Sequence, residues 1–167
     1  MTVTGPRVLV AGIGNIFFGD DAFGVEVARR LASRSLPEGV KVVDYGIRGV
    51  HLAYELLDGY DALVLVDALA MGEAAGTVAV VEPEIDLDEQ DDAGPPLEAH
   101  SMSPAVVLGL IRSLGGNVDR VVIVGCEPAV LDDGIGLSPV VAAAVNAGVA
   151  AVVEVVDDLR LVARREC

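Results

Sequence analysis

The sequence predicts an α/β fold in which one three-layer domain holds a twisted, mostly parallel five-stranded sheet between helices. Short β-branched runs alternate with longer amphipathic segments, and the runs are continuously apolar, as is typical of strands buried on both faces. The 167 residues match the length of one domain, so residues 1–167 are treated as a single unit. A composition that is 53% hydrophobic excludes a disordered chain.

The first half of the chain contains three predicted strands and two predicted helices. Arg7–Gly12 is the first strand, and Asp21–Ser35 is a helix with acids at its start and arginines near its end, which suits the helix dipole. Val40–Tyr45 is the second strand and Val50–Leu57 a short helix. Asp61–Asp67 reads DALVLVD and is the third strand. Strands thus alternate with helices, as in parallel βαβ units.

Two Ser-Pro pairs mark the helix starts in the second half. Ser103 and Ser138 each stand before a proline, which fits an N-cap serine followed by proline at the first helical position. The remaining predicted elements are, in chain order, a strand over Thr77–Glu82, an acidic loop over Pro83–Ala99, a helix over 104–114, a strand over Arg120–Gly125 and a helix over 139–159. The last helix has one apolar stripe, formed by Val141, Val145, Val149, Val152, Val156 and Leu159.

Charge is unevenly distributed along the chain. There are 26 acidic and 11 basic residues, a net charge of −15, so the chain lacks the basic surface that nucleic-acid binding needs. Between Arg48 and Arg112 there are 13 acids and no lysine or arginine, and eight of these acids lie in Glu82–Glu98. We expect that segment to be a solvated loop near the mouth of the site, where its field attracts cations or a basic tail.

The sequence predicts a cytoplasmic protein. Its two cysteines, Cys126 and Cys167, form no disulfide framework, and the N-terminus lacks the pattern of a secretion signal. The longest apolar stretch, Val140–Val153, has 14 residues, fewer than the roughly 18–20 that a membrane span needs. We therefore expect no membrane association, and a monomer or weak dimer.

Polar side chains follow the predicted strands at the edge where ligands bind in open α/β sheets. Asp21 opens the first predicted helix, Asp67 ends the third strand, and His100 precedes the helix at residue 104. Two carboxylates and one imidazole, with coordination positions left open, suit a divalent transition metal. Other roles stay open on these residues alone: Asp20 or Asp21 caps the helix, at about 0.5–2 kcal/mol, Asp67 is a turn residue, and His100 is an ordinary loop residue.

Three other kinds of site are disfavoured. The glycine loop after the first strand lacks the third glycine of a dinucleotide fingerprint, because Phe17 stands there, and no lysine follows it as in a Walker loop. There is no G-x-S-x-G nucleophile elbow. Cys126 has no neighbouring histidine and is interpreted as a small buried residue. We therefore expect no nucleotide cofactor and no serine or cysteine nucleophile.

The motifs together resemble those of a known family. Gly12-Ile13-Gly14-Asn15, Gly19-Asp20-Asp21 and Gly24 are similar to the opening signature of the hydrogenase maturation proteases, which trim the C-terminus of nickel–iron hydrogenase large subunits. The resemblance covers nearly the whole chain, with further matches at Asp44–Gly49, Asp67-Ala68, His100-Ser101-Met102-Ser103-Pro104, Gly125-Cys126-Glu127-Pro128 and Gly134-Ile135-Gly136-Leu137-Ser138-Pro139. One departure is Ala22, which stands where the family often has glycine.

The resemblance implies a function and a set of site residues. The function is removal of a C-terminal peptide from the nickel-loaded precursor of a large subunit, with nickel arriving in the precursor and serving as the recognition element. The implied metal ligands and catalytic residues are Asp21, Asp67 and His100. Asp44 and the turn from Gly46 to Gly49 are implied to hold the substrate backbone. The precursor is the implied partner, and another divalent metal is a candidate replacement for nickel in vitro.

Two alternatives predict different behaviour. A nickel-sensing chaperone would bind the loaded precursor without cutting it, so the mass of the precursor would not change. A metallohydrolase with another substrate would turn over generic peptides with added zinc or manganese, and would not depend on a nickel-loaded protein.

Overall fold

The computed structural model describes residues 5–83, 104–115 and 118–165. Within those ranges five strands form one sheet in the order β2-β1-β3-β5-β4, which confirms the predicted α/β fold. The strands are β1 Val8–Ile13, β2 Val40–Gly46, β3 Ala62–Ala68, β4 Val78–Val81 and β5 Arg120–Cys126. The helices are α1 Phe23–Ala32, α2 Gly49–Leu56, α3 Pro104–Ser113 and α4 Pro139–Arg165, and a 3₁₀ turn over Gly19–Ala22 precedes α1.

The sheet is parallel except at one edge. β1 pairs in parallel with β2 and β3, and β3 pairs in parallel with β5, whereas β4 runs antiparallel to β5. The connection 69–77 between β3 and β4 is shorter than the roughly one dozen residues that a parallel crossover needs. β4 therefore enters the sheet in the opposite direction, and the carboxyl ends of the other four strands share one edge.

Helices cover both faces of the sheet. Alternate residues of β1 point to opposite faces: Val8 and Val10 join a core with α1 and α4, whereas Leu9 and Ala11 join a second core with α2 and α3. Burying a valine or leucine side chain contributes about 1.5–3 kcal/mol. These two cores fix the position of the strand ends, from which the candidate site is built.

The last helix is longer than predicted. α4 extends to Arg165 rather than to residue 159, and its length and composition alone would allow it to cross a membrane. All six residues of its predicted apolar stripe are buried against the sheet and α1. Core packing therefore accounts for the apolar stripe of α4.

The first predicted helix begins later than expected. The prediction of a continuous helix over Asp21–Ser35 is wrong at both ends, because residues 19–22 form the 3₁₀ turn and α1 spans Phe23–Ala32. The Asp20 side chain bonds a distant loop rather than the helix N-terminus, and neither helical segment has a side-chain cap. The two adjacent acids therefore lie in the turn before α1.

Several predictions fall outside the described residues. These are most of the acidic loop over Pro83–Ala99, together with His100, Ser103 and Cys167.

Candidate functional site

The ends of β1, β2 and β3 come together at the carboxyl edge of the sheet. In the sheet register Gly12 lies beside Asp44 of β2 on one side and beside Val66 of β3 on the other. Just beyond the strands, the Gly14 N–H donates to the Gly46 carbonyl over 3.0 Å. The loops after these strands therefore meet at one place, as the parallel arrangement predicts.

Asp67 is a buried acid whose carboxylate lacks a full set of hydrogen-bond partners among the described residues. It is the penultimate residue of β3, is 2% exposed, and its Oδ1 has no hydrogen-bond partner among the described residues. Burial raises the pKa of Asp67 well above its ordinary value, and the nearby charge of Asp21 raises it further, against one backbone hydrogen bond from Ala68. A buried carboxylate of this kind is stabilised by a proton or by a cation.

Asp21 is the second acid at this edge. It lies in the 3₁₀ turn, and its Oδ2 accepts the N–H of Asn15 over 2.7 Å. Burial raises the pKa of Asp21, although the Asn15 hydrogen bond partly offsets this. Two acids with raised pKa values thus lie close together, and this is the arrangement expected of a functional site.

Gly14 allows the two acids to approach each other. Its φ of 139° lies in the region that favours glycine. A Cβ at this position would overlap the Asp21 carbonyl oxygen and would be 3.6 Å from Asp67 Oδ1. The backbone of residue 14 therefore fits between Asp21 and Asp67 only because it has no side chain.

The chemistry of this pair fits a cation. Neither acid forms an ion pair with a lysine or arginine in the described part of the chain, and one Asp67 oxygen is unsatisfied. Carboxylate oxygens suit divalent metals. Residues 5–83, 104–115 and 118–165 contain no cluster of three potential metal ligands. The third predicted ligand, His100, lies outside those ranges, so the three-residue site stays a prediction.

Asp20 has a different role from its neighbour. It is fully buried, and its carboxylate accepts four hydrogen bonds, from the N–H groups of Ala129, Val130 and Ser138 and from the Ser138 hydroxyl. Burial alone would raise the pKa of Asp20, but these hydrogen bonds outweigh it and the pKa is lowered. Asp20 therefore anchors the loop before α4, whereas Asp21 faces Asp67.

Ser138 takes part in this anchor. Its carbonyl accepts the Ala142 N–H over 2.8 Å, as expected of the residue at a helix start. Its hydroxyl donates to Asp20 over 2.8 Å. The predicted capping serine thus joins α4 to the turn that carries Asp21.

A groove of about 270 Å³ begins at Gly14, the residue that lies beside both acids. Its lining consists of residues 14–17 after β1, residues 44–48 at the end of β2, and Arg29 of α1. Of the predicted substrate-binding residues, Asp44 and Gly46 line this groove, and Gly49 is buried at the start of α2. The Asp44 carboxylate pairs with Arg29 Nε over 3.4 Å, and Gly46 has a φ of 56°. The Asp44–Arg48 turn is therefore tied to α1.

Cys126 has the properties of a structural residue. It is buried, and its thiol donates to the Glu127 carbonyl over 3.7 Å. Burial raises the pKa of Cys126 to about 11, with further contributions from the charges of Asp20 and Glu127. A thiol that stays protonated at neutral pH is a poor nucleophile, in agreement with the sequence interpretation.

Sequence reasoning missed several groove residues. In the sequence Arg29 is one of the arginines that suit the helix dipole, and Phe17 stands at the missing glycine of a nucleotide loop. The sequence does not show that these two residues line a groove with the turn after β2, because their position beside that turn depends on the pairing of β1 with β2. Asn15 lay inside the glycine motif, but its bond to Asp21 uses a backbone N–H, which residue type does not reveal.

Comparison with known proteins identifies the family. The family model described as hydrogenase maturation protease matches residues 25–155. The hydrogenase expression/formation protein HupD of Rhodobacter capsulatus is 32% identical over 162 residues, which are 92% of this chain and 71% of that protein. This chain spans 63% and 62% of the lengths of two further relatives, from Azotobacter chroococcum and Rhizobium leguminosarum.

Solved structures share the fold. The hydrogenase maturating endopeptidase HybD from E. coli matches with a TM-score of 0.71 and 30% identity, over 91% of this chain and 93% of that one. The hydrogenase 2 maturation peptidase from a Thaumarchaeota archaeon matches with a TM-score of 0.70 and 34% identity, over 90% of this chain and 98% of that one. The fold and these likenesses define an α/β protein of the protease class. The chain belongs to the hydrogenase maturation protease family.

Proposed function

We propose that this chain is an endopeptidase that removes a C-terminal peptide from the nickel-loaded precursor of a nickel–iron hydrogenase large subunit. The observation that carries the proposal is the buried Asp67 carboxylate, which has an unsatisfied oxygen and lies near a second acid, Asp21. Membership of the family supplies the reaction class. The names of the relatives, as maturation proteases, supply the kind of partner.

In the proposed reaction Asp21 and Asp67 bind the nickel ion that the precursor carries. The ion is thus part of the substrate rather than a resident cofactor. Its positive charge offsets the repulsion between the two neighbouring carboxylates and can polarise a peptide carbonyl. Holding the ion fixes the precursor relative to the groove, and water is added across one peptide bond to give a new carboxylate and a new amine.

His100 is proposed as the third residue of the set. An imidazole is a common nickel ligand, and together with two carboxylates it leaves positions open for the substrate's own ligands. In the sequence His100 follows the acidic segment Glu82–Glu98, whose negative field favours the approach of a cation.

The groove is proposed to hold the precursor backbone. Asp44, Gly46 and the turn that ends at Gly49 supply one wall, with Asp44 held by Arg29. We place the reaction in the cytoplasm, where cysteines stay reduced, and assign it to a monomer or weak dimer.

The test uses the nickel-loaded precursor of the large subunit from the same organism, and its intact mass before and after incubation. The proposal predicts loss of a C-terminal peptide with the wild-type chain, no loss from the nickel-free precursor, and no loss with Asp67→Asn. Asp58→Asn, at an exposed position outside the site, is the matched control and should cleave normally.

Three results would contradict the proposal. A precursor that binds the chain but keeps its mass would identify a nickel-sensing chaperone. Turnover of generic peptides with zinc or manganese, without any nickel-loaded protein, would identify another metallohydrolase. Normal cleavage by Asp67→Asn would remove Asp67 from the site.

A further inference from the structure

Two of the large apolar side chains that line the groove are exposed. Phe17 is 61% exposed and Ile47 is 51% exposed, and both line the groove. Phe17 belongs to the loop after β1, and Ile47 to the turn after β2. Exposed apolar surface that lines a concavity beside a candidate site is typical of a surface that binds a partner.

The apolar surface continues onto a neighbouring loop. The Gly134 N–H donates to the Phe17 carbonyl over 2.9 Å, and the Gly19 N–H donates to the Gly134 carbonyl over 3.1 Å. Ile135, next in the chain, is 82% exposed. We call Phe17, Ile47 and Ile135 the apolar rim. The rim lies along the carboxyl edge of the sheet, where the two acids also lie.

The wall that carries Ile47 has a fixed shape. The Arg48 side chain donates from Nε to the Tyr45 carbonyl over 3.1 Å and from Nη2 to the Asp44 carbonyl over 2.5 Å. The Asp44 carboxylate is in turn paired with Arg29 of α1. These contacts hold the turn in place. Ile47 is therefore exposed on an ordered turn rather than on a free loop end.

One residue, Gly14, connects the groove to the acids. Gly14 lines the groove, and its backbone also fits between Asp21 and Asp67. A polypeptide that lies in the groove therefore passes Gly14, the residue that lies beside both acids. The proposed reaction requires such a polypeptide, because the bond to be cut must lie near the ion that the acids hold.

We propose that Phe17 and Ile47 form a specificity subsite for one apolar side chain of the precursor, in the segment that adjoins the bond to be cut. This inference rests on the proposed function and deepens it by naming the chemistry that the groove selects. Hydrophobic pockets discriminate by roughly 10–200-fold for a change of one methylene, so a charged side chain at the same position is rejected at least as strongly.

The test changes the charge of the subsite. Ile47→Lys places a cation on the groove wall, and Leu161→Lys, at a site on α4 that is 53% exposed, is the matched control. Precursors carrying Leu or Asp at each position flanking the cut are compared by kcat/KM. We expect Ile47→Lys to lower cleavage of the Leu precursor about tenfold or more at one position and to favour Asp there, whereas Leu161→Lys matches the wild type.

A binding measurement separates this inference from the proposed function. Affinity of the chain for the nickel-loaded precursor is measured by biolayer interferometry, with and without Ile47→Lys and Phe17→Ser. If the wild type binds but does not cut, and both variants bind about tenfold more weakly, the protease proposal fails and Phe17 and Ile47 stand only as an apolar contact site for the precursor. If both variants cleave and bind the whole precursor series as the wild type does, the subsite is wrong.

Discussion

Asp67 lies beside the backbone of Gly14, where a methyl group would be 3.6 Å from Asp67 Oδ1 and would overlap the carbonyl oxygen of Asp21. Glycine at position 14 therefore lets the loop after β1 pack against the backbone of Asp21, next to the carboxylate of Asp67.

The first prediction concerns that glycine. Gly14→Ala should displace Asp21 from Asp67 and abolish cleavage of the precursor. It should also lower the free energy of unfolding by about 1–3 kcal/mol, because alanine tolerates the φ of residue 14 poorly. Gly59→Ala is the control, since Gly59 has a φ of 90° but nothing within 4 Å of an added Cβ. Precursor mass and urea unfolding are measured for both variants. Cleavage at the wild-type rate by Gly14→Ala would show that the close approach is not needed.

Asp67→Asn should stabilise the metal-free chain while it removes activity. Burial and the charge of Asp21 oppose ionisation of Asp67, and the amide has nearly the same shape but does not ionise, so we expect a gain of about 0.5–2 kcal/mol at pH 7. For a domain of this size, each kcal/mol raises Tm by about 2–4 °C. Differential scanning calorimetry checks the shift, with Asp58→Asn as the neutral control. A lower Tm for Asp67→Asn would mean that the charge is satisfied in the free protein.

Asp20→Asn should loosen the loop before α4. The amide keeps the size of the side chain but replaces one acceptor by a donor that faces backbone N–H groups. Hydrogen bonds to a charged group contribute about 1.5–3 kcal/mol, and we expect a loss of at least that size. Faster amide hydrogen exchange over residues 129–138 is the specific measurement. Asp132→Asn, exposed in the same loop, should leave exchange unchanged, and equal exchange in both variants would contradict the anchor.

A fourth prediction gives the pH dependence of stability away from the site. The hydrogen bond from Lys41, and then that from Tyr60, lower the pKa of Glu55 below its ordinary 4.5, although burial opposes this. The two bonds are 2.7 and 2.6 Å long. Because the folded pKa is lowered, the stabilisation is present above pH 4.5 and is lost as the pH falls through the folded value.

Glu55→Gln should therefore lower the free energy of unfolding by about 0.5–1.5 kcal/mol at pH 7 and by much less at pH 3. Urea unfolding at both pH values measures the difference, and cleavage of the precursor should not change. A cost that is equal at pH 7 and pH 3 would show that the charge of Glu55 is unimportant. His51→Gln, at an exposed position on the same helix, is the control.

The strands could be predicted because their signal is local. Continuous apolar runs such as LVLV before Asp67 indicate burial on both faces, and the structure buries all of β1 and most of β3. The direction of β4 and the 3₁₀ turn could not be predicted in the same way. The direction of β4 depends on the short connection 69–77. The 3₁₀ turn accompanies the hydrogen bonds of Asp20 to a loop that is more than 100 residues away in the sequence.

The candidate site could be predicted only in part. Asp21 and Asp67 follow from their positions after strands, and the structure brings them together. The sequence could not separate the roles of Asp20 and Asp21, because both precede a helix and have the same side chain. Their difference arises from which way each carboxylate points in the turn, and this depends on tertiary contacts.

The central claim is that Asp21 and Asp67 bind the nickel ion of the precursor. It is tested most directly by nickel-edge anomalous diffraction from crystals of the complex with the nickel-loaded precursor, or of the chain soaked in nickel. The account predicts one strong peak within coordination distance of carboxylate oxygens from both Asp21 and Asp67, and its loss in Asp67→Asn. A peak elsewhere, or the same peak in Asp67→Asn, would contradict it.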